Sequence, residues 1–215
     1  MNTPLYQGLF DKNITEIPLS VENQRYMTTV APLAKNPGRW IEKPRLPHPV
    51  GEMGVVECQG KIHIFGGYSN HRVDGDYHQV FDPETDIWTI KAPYPHPCNH
   101  NSAASIGDKI YSFGGFVEQN RCPHSKCYMY DASNDSWSPI APLSRPRGAI
   151  FAIELNGKIH LLGGREVRSV EWHEVYDPIT DSYEDRCPMM GSTKTQPYAG
   201  QRDHMGVVKV DNKIH

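Results

Sequence analysis

Hydrophobic residues occur along this chain in short runs that are separated by turn-forming residues. Runs such as MGVVEC and KIHIF are rich in β-branched and aromatic side chains, which favours strands over helices. Clusters of Gly, Asp, Asn and Pro, such as DPETD and DASND, follow at short intervals and are typical of tight turns. The pattern therefore predicts an all-β chain built from many short strands.

The strand pattern repeats along the chain. A turn residue before a Lys-Ile pair marks each repeat, and the steps between these anchors are 48, 49 and 55 residues, at Gln59, Gly107, Asn156 and Asp211. Three copies continue with a Gly-Gly pair, an aromatic-Asp pair and a later large ring. These are Gly66-Gly67, Gly114-Gly115 and Gly163-Gly164; Phe81-Asp82, Tyr130-Asp131 and Tyr176-Asp177; and Trp88, Trp137 and Tyr183. Each copy is predicted to form four short strands.

The second strand of each copy is apolar on nearly both faces. In the first copy it carries Ile62, Ile64 and Phe65, whereas a strand on a protein surface would alternate with polar residues. Such a strand has to be covered on both sides, and radial stacking of small sheets provides that cover. The glycine pair that follows removes side chains where backbones crowd together, and it accepts positive φ angles.

These marks resemble the kelch repeat, in which each copy is one four-stranded blade of a β-propeller. The resemblance covers residues 40–215. It implies an all-β, kelch-type β-propeller, here an incomplete ring of three whole four-stranded blades with an orphan outer strand and a partial fourth blade. The predicted organisation is an N-terminal extension without repeat at 1–37 and a partial propeller at 38–215, with blades at about 50–97, 98–146, 147–190 and 203–215.

The two ends of the repeat region differ from the whole blades. The segment WIEKPRLPHP matches WTIKAPYPHP of the first whole blade, so it is predicted to be a fourth strand without the first three. The last copy stops at His215, before its glycine pair. We therefore expect a piece of a longer protein, with a degenerate four-blade ring or a domain-swapped assembly as alternatives. Residues 1–37 are too short for the BTB domain that precedes many animal kelch propellers, which argues against a ubiquitin-ligase adaptor.

Composition limits the classes of partner and location. The net charge of -3 and the pI near 6.4 provide no basic surface, so no nucleic-acid partner is expected. No apolar run approaches the roughly 18 residues of a membrane helix, so no membrane partner is expected. The first residues lack the basic and apolar regions of a secretory signal, which predicts a cytoplasmic location. Five cysteines are an odd number, and a reducing compartment accommodates them most simply.

Candidate ligand-binding residues lie where each first strand begins. In a propeller, the connections from fourth to first strand share one face, here called the top face, with the connections from second to third strand. Residues seven or nine positions before the anchors are expected at the mouth of the central channel. The predicted ligand-binding set is Glu52, His100, Arg147, Arg202 and His204. Arg forms forked hydrogen bonds with carboxylates, and His and Glu can transfer protons, so the set suits an anionic or sugar-like ligand. The alternative is a set of solvated loop ends that pair with one another.

Cysteine and histidine residues cluster in two top-face loops, HPCNH at 96–100 and CPHSKC at 122–127. A zinc site between these loops is geometrically compatible with a propeller, but the spacing matches no recognised zinc signature. A disulfide between Cys122 and Cys127 is the alternative in an oxidising compartment. We predict neither, and we assign no metal and no cofactor. The loop from Arg186 to His204 is longer than its counterparts, and it either shapes specificity or is a tolerated insertion.

Two classes of function are compatible with these residues. The preferred one is a binding or scaffold module that presents its top-face loops to a protein or to a small-molecule ligand, such as a carbohydrate. The alternative is a carbohydrate-active kelch enzyme, similar either to sialic-acid mutarotases or to galactose oxidase. The mutarotase version depends on Glu52, Arg147 and Arg202. The oxidase version would need a copper site, and the residues of suitable type match no motif position by position: Tyr94, Cys98, His100, Tyr198 and His204.

Overall fold

A computed structural model describes residues 41–69, 71, 73–189 and 200–215. Within these ranges all regular structure is β, and it contains three four-stranded antiparallel sheets. Blade 1 comprises β1 (Gly54–Cys58), β2 (Lys61–Phe65), β3 (His78–Asp82) and β4 (Ile87–Ile90). Blade 2 comprises β5 (Ser102–Ile106), β6 (Lys109–Phe113), β9 (Cys127–Asp131) and β10 (Ser136–Ile140), with a small hairpin of β7 (Phe116–Val117) and β8 (Cys122–Pro123) between its second and third strands. Blade 3 comprises β11 (Phe151–Leu155), β12 (Lys158–Leu162), β13 (His173–Asp177) and β14 (Ser182–Asp185).

A two-stranded hairpin follows the third blade, formed by β15 (Lys209–Val210) and β16 (Lys213–Ile214). The all-β incomplete ring predicted from the repeats is therefore confirmed. In the described part of the chain, no helix is long and apolar enough to cross a membrane. The predicted N-terminal extension, residues 1–37, lies outside the described residues.

The three blades share one strand register. One isoleucine of each second strand pairs with the aromatic residue one position before the end of the third strand: Ile62 with Phe81, Ile110 with Tyr130, and Ile159 with Tyr176. The same aromatic residue pairs on its other side with the large ring of the fourth strand: Trp88, Trp137 or Tyr183. Because the side-chain period of a strand is two, this shared register places equivalent side chains on equivalent faces of all three blades.

The aspartate after each aromatic residue closes the turn between third and fourth strands. Its carboxylate accepts a backbone N–H two residues later at 2.9 Å, in Asp82, Asp131 and Asp177, which is the hydrogen bond of an Asx-turn. The same carboxylates pair with the lysine that begins the second strand, at 2.6 Å for Lys61, 3.2 Å for Lys109 and 2.9 Å for Lys158. The repeated Lys-Ile and aromatic-Asp marks are therefore two halves of one contact.

The glycine pairs join each blade to the next. The N–H of the second glycine donates to a carbonyl of the following blade: Gly67 to Cys98 at 2.8 Å, Gly115 to Arg147 at 3.0 Å, and Gly164 to Arg202 at 2.9 Å. The first glycine lies against the same carbonyl. A Cβ on Gly114 would stand 2.2 Å from the Arg147 oxygen, and its φ of +54° is also left-handed. Close approach and positive φ together explain why glycine occupies this position.

A second joint connects the outer strands. The large ring of the fourth strand donates to a carbonyl of the preceding blade: Trp137 Nε1 to Ala92 at 3.1 Å, and the Tyr183 hydroxyl to Ala141 at 2.7 Å. Trp88 Nε1 makes the equivalent bond to Pro44 at 3.0 Å, so the Pro44 carbonyl takes the place of the carbonyl that a preceding outer strand would supply. No strand is assigned to residues 41–50, and Trp40 lies outside the described residues.

The core fills the spaces between blades. Buried residues between blades 1 and 2 are Cys58, Phe65, Tyr94, Cys98, Ile110 and Tyr130. Those between blades 2 and 3 include Phe113, Cys127, Leu143, Ile150, Ile159, Leu161 and Tyr176. The second strands, which are apolar on both faces, contribute to both clusters. This is expected for strands that are covered on both sides by neighbouring blades.

Candidate functional site

Each first strand begins after a residue with a left-handed backbone. The four equivalent positions have φ angles of 54°, 54°, 51° and 49°, at Glu52, His100, Ala149 and His204. Positive φ is uncommon outside glycine. Its recurrence at one repeat position indicates that the backbone has to bend before each first strand. The bends are linked across blades, because the His100 N–H donates to the Glu52 carbonyl at 2.6 Å and the Ala149 N–H to the His100 carbonyl at 2.9 Å.

Three of the predicted ligand-binding side chains meet at these bends. His100 Nε2 lies 3.2 Å from Glu52 Oε2, and the ring of His204 stands edge-on to that of His100 with centroids 4.8 Å apart. One ligating atom from each of Glu52, His100 and His204 lies within 4.8 Å of the others. The His100 side chain is almost fully buried, whereas the other two remain partly exposed.

Both histidine rings are held by hydrogen bonds at Nδ1. His100 Nδ1 lies 2.7 Å from Asn99 Oδ1, and Asn99 Nδ2 in turn donates to Asp74 at 2.5 Å. His204 Nδ1 lies 3.0 Å from Asp203 Oδ1. These contacts orient each ring so that Nε2 is the nitrogen left for another partner.

Electrostatics at the mouth favour neutral His100 in the absence of a cation. Burial lowers the pKa of His100, and the Glu52 carboxylate opposes that shift only in part. Arg165 adds to the lowering of the His100 pKa, and its guanidinium lies 4.8 Å above the centre of the Phe116 ring. Burial would raise the pKa of Asp203, but hydrogen bonds from His204 and Ser169 outweigh it and leave that pKa below its usual value.

A cavity of about 330 Å³ opens beside the cluster. It is lined by Glu52, His100, Ala149 and His204 and by residues of the innermost strands β1, β5 and β11. The size is at the lower end of small-molecule sites.

Arg147 does not join this cluster. Its side chain is fully buried, and its guanidinium forms an ion pair with Glu174 at 2.5 Å. Nε also donates to the Gly163 carbonyl at 3.0 Å. The expectation that Arg147 lines the channel mouth is corrected by this burial. The left-handed bend at Ala149 breaks the strand alternation, so the residue two positions earlier turns between blades instead of toward the axis.

Arg202 lies in a separate place. It lines a cavity with Leu162, Met205 and Ile214, between the third blade and the final hairpin, and its backbone pairs with Val170. Residues 190–199, which include Tyr198 and most of the predicted long loop, lie outside the described residues. The structure thus divides the predicted set into a cluster of three and two separate arginines.

Sequence reasoning missed the groups that support the cluster. Asn99, Asp203 and Arg165 were not predicted as site residues, although Asn99 and Asp203 each directly precede a predicted histidine. That adjacency was the available signal, because a side chain next to a left-handed residue can reach back to it. Arg165 directly follows a glycine pair, and its backbone pairs with Gly148 at the top face.

Comparison with known proteins identifies the repeat. The Kelch motif family matches residues 97–144, a segment that contains all four strands of blade 2. Over 158 residues the chain is 32% identical to Kelch-like protein 35 of Mus musculus, covering 73% of this chain and 26% of that protein. The chain is a kelch-repeat protein.

Other relatives of this kelch-repeat chain carry the same type of name. It is 29% identical over 146 residues to Kelch-like protein 25 of Xenopus tropicalis, covering 67% of this chain and 24% of that protein. It is 37% identical over 147 residues to Kelch-like protein 35 of Homo sapiens, covering 67% of this chain and 24% of that protein. The chain therefore spans about a quarter of the length of these relatives.

The cysteine and histidine loops of the kelch blades do not form one ligand set. His96 and His124 lie edge to face with centroids 4.6 Å apart, whereas Cys98 and Cys127 are buried in the blade cores. All five cysteines are free thiols in this structure. The Tyr94 hydroxyl is buried against Ser112 at 2.9 Å, which removes this tyrosine from the channel mouth.

Proposed function

We propose that this kelch-repeat chain is a protein-binding scaffold whose top-face loops hold a partner protein. Its relatives are named as kelch-like proteins, and a scaffold needs no precise catalytic set. The enzyme alternatives have lost support from residues, because the mutarotase version depended on Arg147 at the mouth and the oxidase version on Tyr94. The proposal is therefore confined to a protein partner.

The observation that carries the proposal is the linkage of the top-face connections to one another. The Asp74 carboxylate of blade 1 accepts hydrogen bonds from Asn99 Nδ2 and from the Glu118 N–H of blade 2. Gly148 and Arg165 pair through their backbones, and the Arg165 guanidinium packs over Phe116 of blade 2. Loops fixed in this way lose little conformational entropy when a partner binds, which favours affinity.

Exposed aliphatic side chains on these loops supply a contact surface. Val73 is 64% exposed in the β2–β3 connection, and Val167 is 86% exposed in the β12–β13 connection. Glu52 and Arg165 belong to top-face connections as well and add charged groups to the same face. A mixture of apolar and polar groups is common at protein interfaces.

A matched pair of variants tests which face binds. Val167→Asp places a charge on the top face, and Ile179→Asp places one on the opposite end of blade 3, where Ile179 is 92% exposed in the β13–β14 turn. Neither change disturbs a buried contact, so both variants should fold. Immobilised wild-type and variant chains are incubated with cell extract, and the retained proteins are quantified by mass spectrometry.

We expect a specific set of proteins to bind wild type and Ile179→Asp alike and to be lost with Val167→Asp. Partners that are lost only with Ile179→Asp would contradict the top-face assignment. Retention of every partner by both variants would contradict it too, because a charge at the centre of an apolar contact strongly disfavours binding.

A further inference from the structure

The channel mouth carries an arrangement that protein binding does not require. Three chemically ligating side chains, Glu52, His100 and His204, come from three different blade starts and converge with their ligating atoms within 4.8 Å. Two imidazole nitrogens and one carboxylate oxygen are a common set of protein ligands for zinc, with a fourth position left open.

The hydrogen bonds around His100 fix which nitrogen faces the cluster. Asn99 is fully buried, and its Nδ2 donates to the Asp74 carboxylate, so its oxygen is the atom that faces His100 Nδ1. An oxygen accepts, and His100 must therefore donate from Nδ1. Unless the ring carries a second proton, His100 Nε2 presents a lone pair to the Glu52 carboxylate at 3.2 Å.

A lone pair facing a carboxylate oxygen calls for a cation between them. A metal ion bound by both atoms satisfies the nitrogen and the carboxylate together, in a position where only 4% of the His100 side chain is exposed to water. Metal-bound histidines typically donate the other ring nitrogen to a carbonyl or carboxylate oxygen, and His100 and His204 both have that second contact, to Asn99 and Asp203.

Geometry permits closure around an ion. Two ligands at about 2.1 Å from zinc in a tetrahedral site stand roughly 3.4 Å apart, close to the present distance between His100 and Glu52. His204 has to approach further, and its side chain, which is 43% exposed, has room to move while Nδ1 keeps its contact with Asp203. Ala149 occupies the one equivalent position without a ligating atom, and it leaves that side of the cluster open to water or to a ligand from a partner.

We propose that Glu52, His100 and His204 bind one zinc ion at the mouth of the axial channel. The negative carboxylates of Glu52 and Asp203 supply charge complementarity, and Arg165 limits the affinity. The site ties three blade starts to one point. This assignment is independent of the scaffold proposal, because zinc binding by the isolated chain needs no partner.

The test is equilibrium dialysis of the untagged chain against Zn²⁺, with bound metal measured by mass spectrometry and affinity measured by competition with a chelating indicator. His204→Ala and Glu52→Gln each remove one ligand at a partly exposed position. Asp203→Asn keeps all three ligands and weakens the support of His204 by the Asp203 carboxylate. His96→Ala is the control, since it removes one ring of a different, half-buried histidine pair, His96 with His124.

We expect one zinc per wild-type chain and an affinity at least about 100-fold lower in His204→Ala and Glu52→Gln. Asp203→Asn should lose about 10- to 100-fold, and His96→Ala should bind as wild type does. Zinc should raise the melting temperature of wild type and leave that of His204→Ala unchanged. Absence of stoichiometric zinc in wild type, or equal losses in His96→Ala and His204→Ala, would overturn the proposal. Melting curves recorded without zinc show whether each variant is folded.

Discussion

At the joints between blades, three copies of the repeat make the same backbone hydrogen bonds. At the channel mouth, the equivalent positions share one left-handed backbone but carry a carboxylate, two imidazoles and a methyl group, in Glu52, His100, His204 and Ala149. The joints use repetition to specify the fold. The mouth uses the same repeated backbone as a frame on which individual side chains differ.

This contrast separates structural from functional residues in a repeat protein. A residue type that recurs with its contact, such as the glycine pair, is explained by the fold. A residue that differs from its equivalents in the other blades needs a local explanation. Either it makes a structural contact that the other blades lack, or it belongs to a functional site. Arg147 is the first kind, since its departure from Cys98 is explained by its ion pair with Glu174. Under the zinc proposal, His100 and His204 are the second kind.

The strongest test of this distinction is to leave Arg147 without its counterion. Glu174→Gln should destabilise the chain by about 3–5 kcal/mol, because a fully buried guanidinium then lacks a negative partner and cannot lose its proton. Chemical denaturation followed by circular dichroism measures the change. Zinc binding at the mouth should be retained by the folded fraction, since the ion pair is structural.

Two controls sharpen that result. Glu184→Gln removes the partner of Arg186 in an exposed pair, where no measurable change is expected. Replacing both members, Arg147→Met with Glu174→Met, should recover most of the lost stability, since apolar groups of similar size replace a buried ion pair at little cost. A double variant as unstable as Glu174→Gln would show that Arg147 acts through something other than this pair.

The next largest effect is expected at a joint. Gly114→Ala should cost about 3 kcal/mol, because the new Cβ would stand 2.2 Å from the Arg147 carbonyl oxygen and the left-handed φ adds strain. Gly107→Ala is the matched control. It has a similar φ of +62°, but nothing lies within 4 Å of its Cβ position, so it should cost about 1 kcal/mol. Equal losses measured by thermal or urea unfolding would mean that backbone conformation alone, and not the joint, selects glycine.

The sequence predicted the joints better than the mouth, for a physical reason. The anchors, glycine pairs and aromatic-Asp pairs recur in three copies. In each copy, the glycine pair indicates that two backbones approach closely at the same place. That repetition was enough to predict the strand order and the sandwiched second strands. It also predicted which position begins each first strand, and three of the side chains there are close together.

The remaining features of the mouth depend on contacts that are not repeated from blade to blade, so the repeat pattern does not indicate them. Arg147 is buried between blades by an ion pair of this kind, so its position was not predictable from the repeat. Its partner Glu174 lies on β13, and the equivalent positions in the other blades are Gln79 and Tyr128. The link from Asn99 to Asp74 joins residues of two blades across 25 positions, and only the folded geometry reveals it.

Acid should weaken blades that carry a buried histidine pair. His63 Nδ1 lies 3.0 Å from His78 Nε2, and burial lowers the pKa of His63 to about 4 and that of His78 to about 3. Between pH 6.5 and about 4, the unfolded chain binds protons that the folded chain does not. Stability is therefore complete above pH 6.5 and falls as pH decreases, by about 1.4 kcal/mol per pH unit for each such histidine.

His78→Gln should reduce this slope by about 1.4 kcal/mol per pH unit. Blade 2 provides the natural comparison, since Tyr111 and Cys127 occupy the equivalent positions. The free energy of unfolding is measured at several pH values between 6.5 and 5.0. The slope of this free energy against pH, not its absolute value, is compared between wild type and variant. Parallel curves for wild type and variant would exclude His78 as a source of acid sensitivity.

The smallest effect is expected at the outer joint, where one hydroxyl group can be removed without changing the shape of the side chain. Tyr183→Phe deletes the hydroxyl that donates to the Ala141 carbonyl at 2.7 Å and also contacts Cys127 Sγ at 3.4 Å. The change should lower the free energy of unfolding by about 1 kcal/mol. Thr180→Val is the comparison within the same blade, since the Thr180 hydroxyl bonds that of Ser182 at 2.8 Å in the β13–β14 turn.

If outer joints hold blades together, Tyr183→Phe should increase hydrogen exchange in β10 of the neighbouring blade as well as in β14, whereas Thr180→Val should affect blade 3 more than blade 2. The same exchange pattern in both variants would mean that the outer joint adds stability without coupling the blades.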